Sequence, residues 1–411
     1  MADIRPFTIQ VDDLKLQDLK LRLSLARFPD ELYDADWDMG APLADVKRLT
    51  KHWQEAYDWR RAEAELNKLP HFTTQVQCEG FEPLAIHFIH LRSKTAHAIP
   101  LLFIHGWPGH FEEVIKILKP LGDGDGIEQP AFDIVAPSLP NFGFSEGTKK
   151  RGFAMEQYAE TMNRLMQKLG YNQYVTQGGD WGCHISRAMA HLYPKYCKAT
   201  HLNFDSANPP EYAKNPLLAL QHNMRPYTAY EKQGMDRAAW FEKEGRGYQL
   251  EQSTKPQTLG YGLADSPVAC LAWIYEKLHD WTDGYPWTDD EVCTWVSIYW
   301  FSTAGPAASV RIYYEIAHNV DAREGKIDRE RLRSWSPGVL LGFSHFPMDL
   351  SPRPSTWVRT LGNVVFERAH ENGGHFAAWE KPKELVIDVR EMFGKGGGAF
   401  GCVKGANGYA Q

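Results

Sequence analysis

At 411 residues the chain is long enough for one large core carrying an inserted subdomain. Its net charge of −7, with no run of basic residues, argues against a nucleic-acid partner, and no apolar run is long enough for a membrane span. Six scattered cysteines without a Cys-x-x-Cys pair fit reduced thiols in a cytoplasmic protein better than a disulfide framework or a metal site.

Residues 1–95 read as an N-terminal meander of helices and a strand that wraps the main domain and carries no chemistry of its own. Asp3, Arg5, Asp12 and Asp13 leave no apolar signal core or membrane anchor there. Leu16, Leu19 and Leu23 form one helical stripe ended by Pro29; Val46, Leu49 and Trp53 form another, followed by a charged helix that stops at Pro70. Residues 81–90 alternate as a strand does.

Residues 96–205 have the pattern of an α/β core. A strand at 100–104 runs directly into His105-Gly106-Trp107-Pro108-Gly109. A further strand at 132–136 ends in Pro137 and a glycine-bearing loop through Gly147, and a helix at 155–169 returns the chain to a strand at 174–176. Then come Gln177-Gly178-Gly179-Asp180-Trp181-Gly182, a helix with Ile185, Ala188, Met189 and Leu192 on one face, and a strand at 199–204. This alternation predicts a mostly parallel sheet flanked by helices, with right-handed crossovers.

From 206 to 332 strand signals vanish and the sequence turns helical, aromatic and charged, as a lid inserted into the core would be. The core resumes over 333–393, with strands at 339–343 and 364–366 and a last helix at 381–393. Residues 394–411 are a Gly-rich tail, expected to be poorly ordered.

The chemistry centres on position 180. Gly178 and Gly182 flank it as small residues flank the nucleophile of a G-x-S-x-G strand-to-helix elbow, but the apex is an aspartate. A serine needs a base before it can attack; an aspartate, with a reference pKa of about 3.9, is already ionised at neutral pH. Its natural target is a saturated electrophilic carbon, and the product of attack is an alkyl ester. A histidine is needed only afterwards, to deprotonate the water that cleaves the ester. The plain alternative for Asp180 is an acidic helix cap.

His375, in Glu371-Asn372-Gly373-Gly374-His375-Phe376, stands after the last strand, where the base of an α/β-hydrolase belongs in the chain order nucleophile, acid, histidine. Asp349 supplies the acid that would orient it, and Asp205, just past the strand ending at Phe204, is the rival for that place. The alternatives are a solvated loop histidine and a surface-turn aspartate. The main-chain N–H groups of Trp107 and Trp181 would form the oxyanion hole during ester cleavage. No cofactor or metal is called for. An epoxide would leave an alkoxide, which tyrosines can protonate, whereas a haloalkane would need weak halide donors; the lid therefore decides between them.

These residues resemble the epoxide hydrolases of the α/β-hydrolase fold, specifically their microsomal and fungal soluble branch. The likeness covers nearly the whole chain and rests on His105-Gly106-Trp107-Pro108-Gly109, Gly178-Gly179-Asp180-Trp181-Gly182 and Gly373-Gly374-His375-Phe376-Ala377-Ala378-Trp379-Glu380. In the lid it adds Gly247-Tyr248, Gln252-Ser253-Thr254-Lys255-Pro256, Asp265-Ser266-Pro267 and Ala272-Trp273-Ile274. The resemblance implies vicinal diols as products, an epoxide as the small-molecule partner, and a homodimer. It places the ring-opening tyrosines on Tyr248 and on Tyr313, with the adjacent Tyr314 open as the alternative. A haloalkane dehalogenase or a non-catalytic binding protein are the competing functions. A serine esterase fits least, since no serine occupies the elbow.

Overall fold

A computed structural model describes residues 4–319 and 327–410. A nine-stranded sheet runs through the centre: β1 (Arg5–Pro6), β2 (His71–Val76), β3 (Leu84–Leu91), β4 (Ile99–Ile104), β5 (Phe132–Pro137), β6 (Tyr174–Gly178), β7 (Cys197–Leu202), β8 (Ser336–His345) and β9 (Gly362–Ala369). In space they lie in the order β1-β2-β3-β5-β4-β6-β7-β8-β9. The pairs from β5 to β9 are parallel, and β1, β2 and β3 add an antiparallel edge to β5. All six residues of β4 are buried, as a strand covered by helices on both faces must be.

From β4 the chain goes to one side, to β5, and then crosses to the other side, to β6. The crevice at the carboxyl ends of β4 and β6 is thus a topological switch point, where open α/β sheets bind ligands. The 105–109 corner follows β4 and the elbow follows β6, so both border that crevice.

The strand β2 was not foreseen, because His71-Phe72-Thr73-Thr74-Gln75-Val76 alternates weakly; pairing on both edges makes it a strand. The helices Leu43–Glu55 and Trp59–Leu66 pack on the insertion: Trp53 Nε1 donates to Ser297 Oγ over 3.0 Å, and His52 Nε2 lies 2.8 Å from Asp290 Oδ1. Residues 1–3 of the meander lie outside the described residues.

Between β7 and β8 the chain is helical and, among the described residues, has no strand. Local chemistry starts these helices. Pro216, Pro256 and Pro267 sit in first turns, and Thr228 with Glu231 and Thr288 with Glu291 form capping boxes. Residues 320–326 of this segment, and 411 of the tail, lie outside the described residues.

The tail departs from expectation. Ala399, Val403 and Tyr409 are buried, Gly408 N donates to His97 O over 2.7 Å, and Ala131 N donates to Gly408 O over 2.8 Å. Apolar anchors spaced along a glycine-rich segment hold it against the start of β4 and β5.

Candidate active site

Asp180 opens the helix Asp180–Leu192 with φ 48°, a left-handed conformation that a non-glycine residue adopts only under constraint. Small residues make the turn possible. A Cβ on Gly182 would lie 1.8 Å from the Ile104 carbonyl oxygen, and one on Gly178 would lie 2.7 Å from the Gly182 carbonyl carbon. The helix therefore packs against β4 only with glycine at 182, and against the end of β6 only with glycine at 178, and the carboxylate stands up above the sheet, partly exposed.

Each carboxylate oxygen has its own neighbour. Trp107 N donates to Oδ1 over 2.8 Å, while Oδ2 lies 3.4 Å from His375 Nε2. On the far side of the imidazole, Nδ1 is 2.6 Å from Asp349 Oδ1, which also accepts from Leu350 N over 2.7 Å. Burial opposes charge on His375, but Asp349 and Asp180 outweigh it and push the imidazolium up to about 10. Among the described residues Asp205 makes no hydrogen bond or ion pair with His375; it is buried, accepts from Ala207 N over 2.9 Å, and is pushed up to about 6 by burial. The geometry pairs His375 with Asp349.

Tyr248, on Gly247–Thr254, and Tyr313, on Arg311–His318, are both buried, with ring centroids 5.8 Å apart. Tyr248 stacks on Trp107 at 5.2 Å, and Tyr313 meets Trp107 at 5.8 Å and Trp181 at 4.8 Å, both edge-on. Burial first, then neighbouring charge, raises both phenols well above the ordinary tyrosine value, so both hydroxyls stay protonated at neutral pH. The Tyr313 hydroxyl is buried with no hydrogen-bond partner among the described residues. Tyr314 points elsewhere, stacking on His318 at 4.0 Å.

Other residues at the site went unnoticed in the sequence. Trp281 O accepts from His375 N over 2.7 Å, and its ring lies 5.1 Å from His375 and 5.0 Å from Tyr248. Glu380 Oε1 accepts from Gly374 N over 2.8 Å and Oε2 accepts from Asp283 N over 3.0 Å, tying the histidine loop to the insertion. Trp295 Nε1 and Tyr299 Oη donate to the carbonyls of Pro108 and Gly109 over 2.7 and 2.6 Å, fixing the corner that carries Trp107. The Glu113 carboxyl lies beneath the same corner, pushed up to about 8 by burial. Only Glu380 had a signal, its fixed place in the His375 motif; the others act across separations a sequence does not display. Among the described residues no cluster of three or more histidine, cysteine or carboxylate side chains could hold a metal. No helix there is long and apolar enough to cross a membrane.

Comparison with known proteins places the chain in a family. The family model for the epoxide hydrolase N terminus matches residues 4–114, and that for the alpha/beta hydrolase fold matches 99–263. A Stigmatella aurantiaca protein is 40% identical over 399 residues, spanning 95% of this chain and 84% of that one. Epoxide hydrolase 1 of Sus scrofa is 33% identical, spanning 95% of this chain and 88% of its own. The structure of the Aspergillus niger epoxide hydrolase superposes with a TM-score of 0.80 at 35% identity, covering 94% of this chain and 96% of that one. With these matches running nearly end to end, the chain belongs to the epoxide hydrolases of the α/β-hydrolase fold, in their microsomal and fungal branch.

Proposed function

We propose that this epoxide hydrolase opens its substrate by attack of Asp180 Oδ2 on an epoxide carbon, forming an alkyl ester. The observation that carries the proposal is the division of labour between the two oxygens, with Oδ1 held by Trp107 N–H at 2.8 Å and Oδ2 facing His375 Nε2 at 3.4 Å. As the C–O bond of the epoxide breaks, its electron pair stays on oxygen. Tyr248 and Tyr313 donate to that oxygen and the proton passes to it, because an alkoxide is the stronger base. The insertion at 206–332 serves as the lid that supplies them.

The second half-reaction follows from the electrostatics. Esterification removes the charge on Asp180, one of the two carboxylates favouring the imidazolium. His375 then gives up its proton, which returns the tyrosinate to tyrosine, and takes one from the attacking water, with Asp349 stabilising the imidazolium as it re-forms. Water attacks the ester carbonyl, and the oxyanion develops on Oδ1, where Trp107 N–H already points and the Trp181 N–H of the helix start can join it. Collapse releases the diol and restores the carboxylate.

Single turnover in ¹⁸O-labelled water tests this order. Label should enter Asp180 on the first cycle while the first diol stays unlabelled; label in that first diol would exclude the ester. From the family resemblance we also expect a homodimer, and the six unpaired cysteines suit a reducing cytoplasm; sedimentation equilibrium checks the assembly.

A further inference from the structure

Ring opening takes a proton from one of two buried tyrosines and leaves a tyrosinate until His375 returns it. A phenolate forming away from water is costly unless a positive charge is near. One is near a single member of the pair. The Lys277 ammonium lies over the Tyr248 ring, 5.3 Å from its centroid, and over the Trp273 ring at 4.5 Å. Among the described residues no cation lies over the Tyr313 ring.

Two helices set this placement. Tyr248 and Gln252 are one turn apart on Gly247–Thr254, and Trp273 and Lys277 are one turn apart on Pro267–Asp280, so each pair shares a face. Trp273 Nε1 donates to Gln252 Oε1 over 2.9 Å and ties the two faces together. The Lys277 side chain, 2% exposed, is thereby held against both rings. Its ammonium donates to Glu276 Oε1, its one hydrogen bond among the described residues. Burial pulls the amine below the ordinary lysine value, and Glu276 and Asp280 push it back up.

Glu276 does not cancel this charge at Tyr248. Its side chain is 30% exposed, so water screens the carboxylate, whereas the ammonium is shut away from water. Tyr248 therefore faces the positive end of the pair.

We propose that Lys277 is a positioning residue for ring opening: its charge stabilises the Tyr248 tyrosinate, so Tyr248 surrenders the proton while Tyr313 only hydrogen-bonds the epoxide oxygen. The inference rests on the tyrosine reading above. As the epoxide C–O bond breaks, its electron pair stays on oxygen and the Tyr248 hydroxyl proton moves to it. The negative charge left on the phenolate spreads into the ring under the ammonium. Lys277 keeps its own protons throughout.

Stopped-flow alkylation by styrene oxide tests this. Lys277→Met, close in length and uncharged, should alkylate roughly tenfold more slowly, the effect of a desolvated cation on an aromatic ring. Lys277→Arg should keep most of the rate. In a Tyr248→Phe background Lys277→Met should change the rate by less than about twofold, whereas in Tyr313→Phe it should keep its full effect. Lost packing would slow both backgrounds alike, and that result overturns the proposal. So does Lys277→Met alkylating at the wild-type rate. Should the Lys277 variants not fold, fluorine NMR of fluorotyrosine-labelled His375→Gln decides, because there the proton is not returned. On alkylation the resonance that shifts to the ionised position should be that of Tyr248, assigned through Tyr248→Phe and Tyr313→Phe. A shift at Tyr313, or at neither, overturns the proposal. Tyr248→Phe alkylating as fast as the wild type would instead strike at the tyrosine reading, so the two failures are distinguishable.

Discussion

The main-chain nitrogen of Trp107 donates to Oδ1 of Asp180 over 2.8 Å, so the proposed nucleophile is oriented by the same donor that would later stabilise its ester. An Asp180→Asn variant keeps a carbonyl oxygen for Trp107 but loses the charge that attacks. Diol formation should fall by roughly 10³-fold or more, with the fold intact by circular dichroism. Turnover near the wild-type rate in freshly prepared variant would remove Asp180 from its role.

His375 offers a different signature. If it serves only ester cleavage, His375→Gln should still be alkylated by epoxide and then stall. Intact-protein mass spectrometry should find the enzyme heavier by the mass of one epoxide, localised to the peptide containing Asp180. A variant that turns over normally, or one that never gains mass, contradicts the two-step scheme.

The tyrosines separate by geometry. Tyr313 packs on Trp107 and Trp181, whereas Tyr314 stacks on His318 away from the elbow. Replacing Tyr248 or Tyr313 by phenylalanine should each lower the rate of alkylation by roughly 10²-fold, within the range of general acid catalysis, and losing both should be far worse. Tyr314→Phe should stay within about twofold of wild type, as surface changes usually do. Stopped-flow quenching of the tryptophans beside Asp180 measures the alkylation step directly.

That contrast also marks what a sequence can display. Asp180, Asp349 and His375 could be picked out because each follows a strand in a fixed order, and two of them sit among glycines that such turns require. Tyr313 and Tyr314 are neighbours on one helix, pointing about 100° apart, and only the packing of a helix from a distant part of the chain shows which one faces the elbow. The same limit hid Trp281 and the support that Trp295 and Tyr299 give the corner. It also hid β2, whose strand character comes from pairing on both edges, and the docking of the glycine-rich tail through Val403 and Tyr409.

The elbow makes a prediction about folding. With the Ile104 carbonyl only 1.8 Å from where a Cβ would sit, Gly182→Ala cannot be absorbed by a side-chain movement, since the obstacle is backbone. The helix would have to lift from β4, at a cost of about 1–3 kcal/mol or more. A lowered melting temperature with lost activity should result, while Gly262→Ala, where nothing lies within 4 Å, should melt like the wild type.

Stability should peak near pH 6.5, because two sets of buried groups oppose one another. Eight histidines are held below their ordinary value chiefly by burial, His90, His105, His184 and His201 among them at about 4. Between about pH 4 and 6.5 the unfolded chain binds more protons at these sites than the folded one, so stability is lost as pH falls. Glu112 and Glu113 at about 8, Glu380 at about 7 and Asp205 at about 6, all raised chiefly by burial, work the other way. So does His375, which its two carboxylates raise against burial to about 10. Their contribution is complete only below their unfolded values and is lost as pH rises through the folded ones. In the acid window eight groups outnumber four carboxyls, whereas from about pH 6.5 to about 8 the raised carboxyls and His375 set the trend. Melting temperatures measured from about pH 4 to about pH 10 should therefore rise, pass a maximum between about pH 6 and 7, and decline. A profile that keeps climbing into alkali would show that the carboxyls beneath the Trp107 corner are not buried as placed.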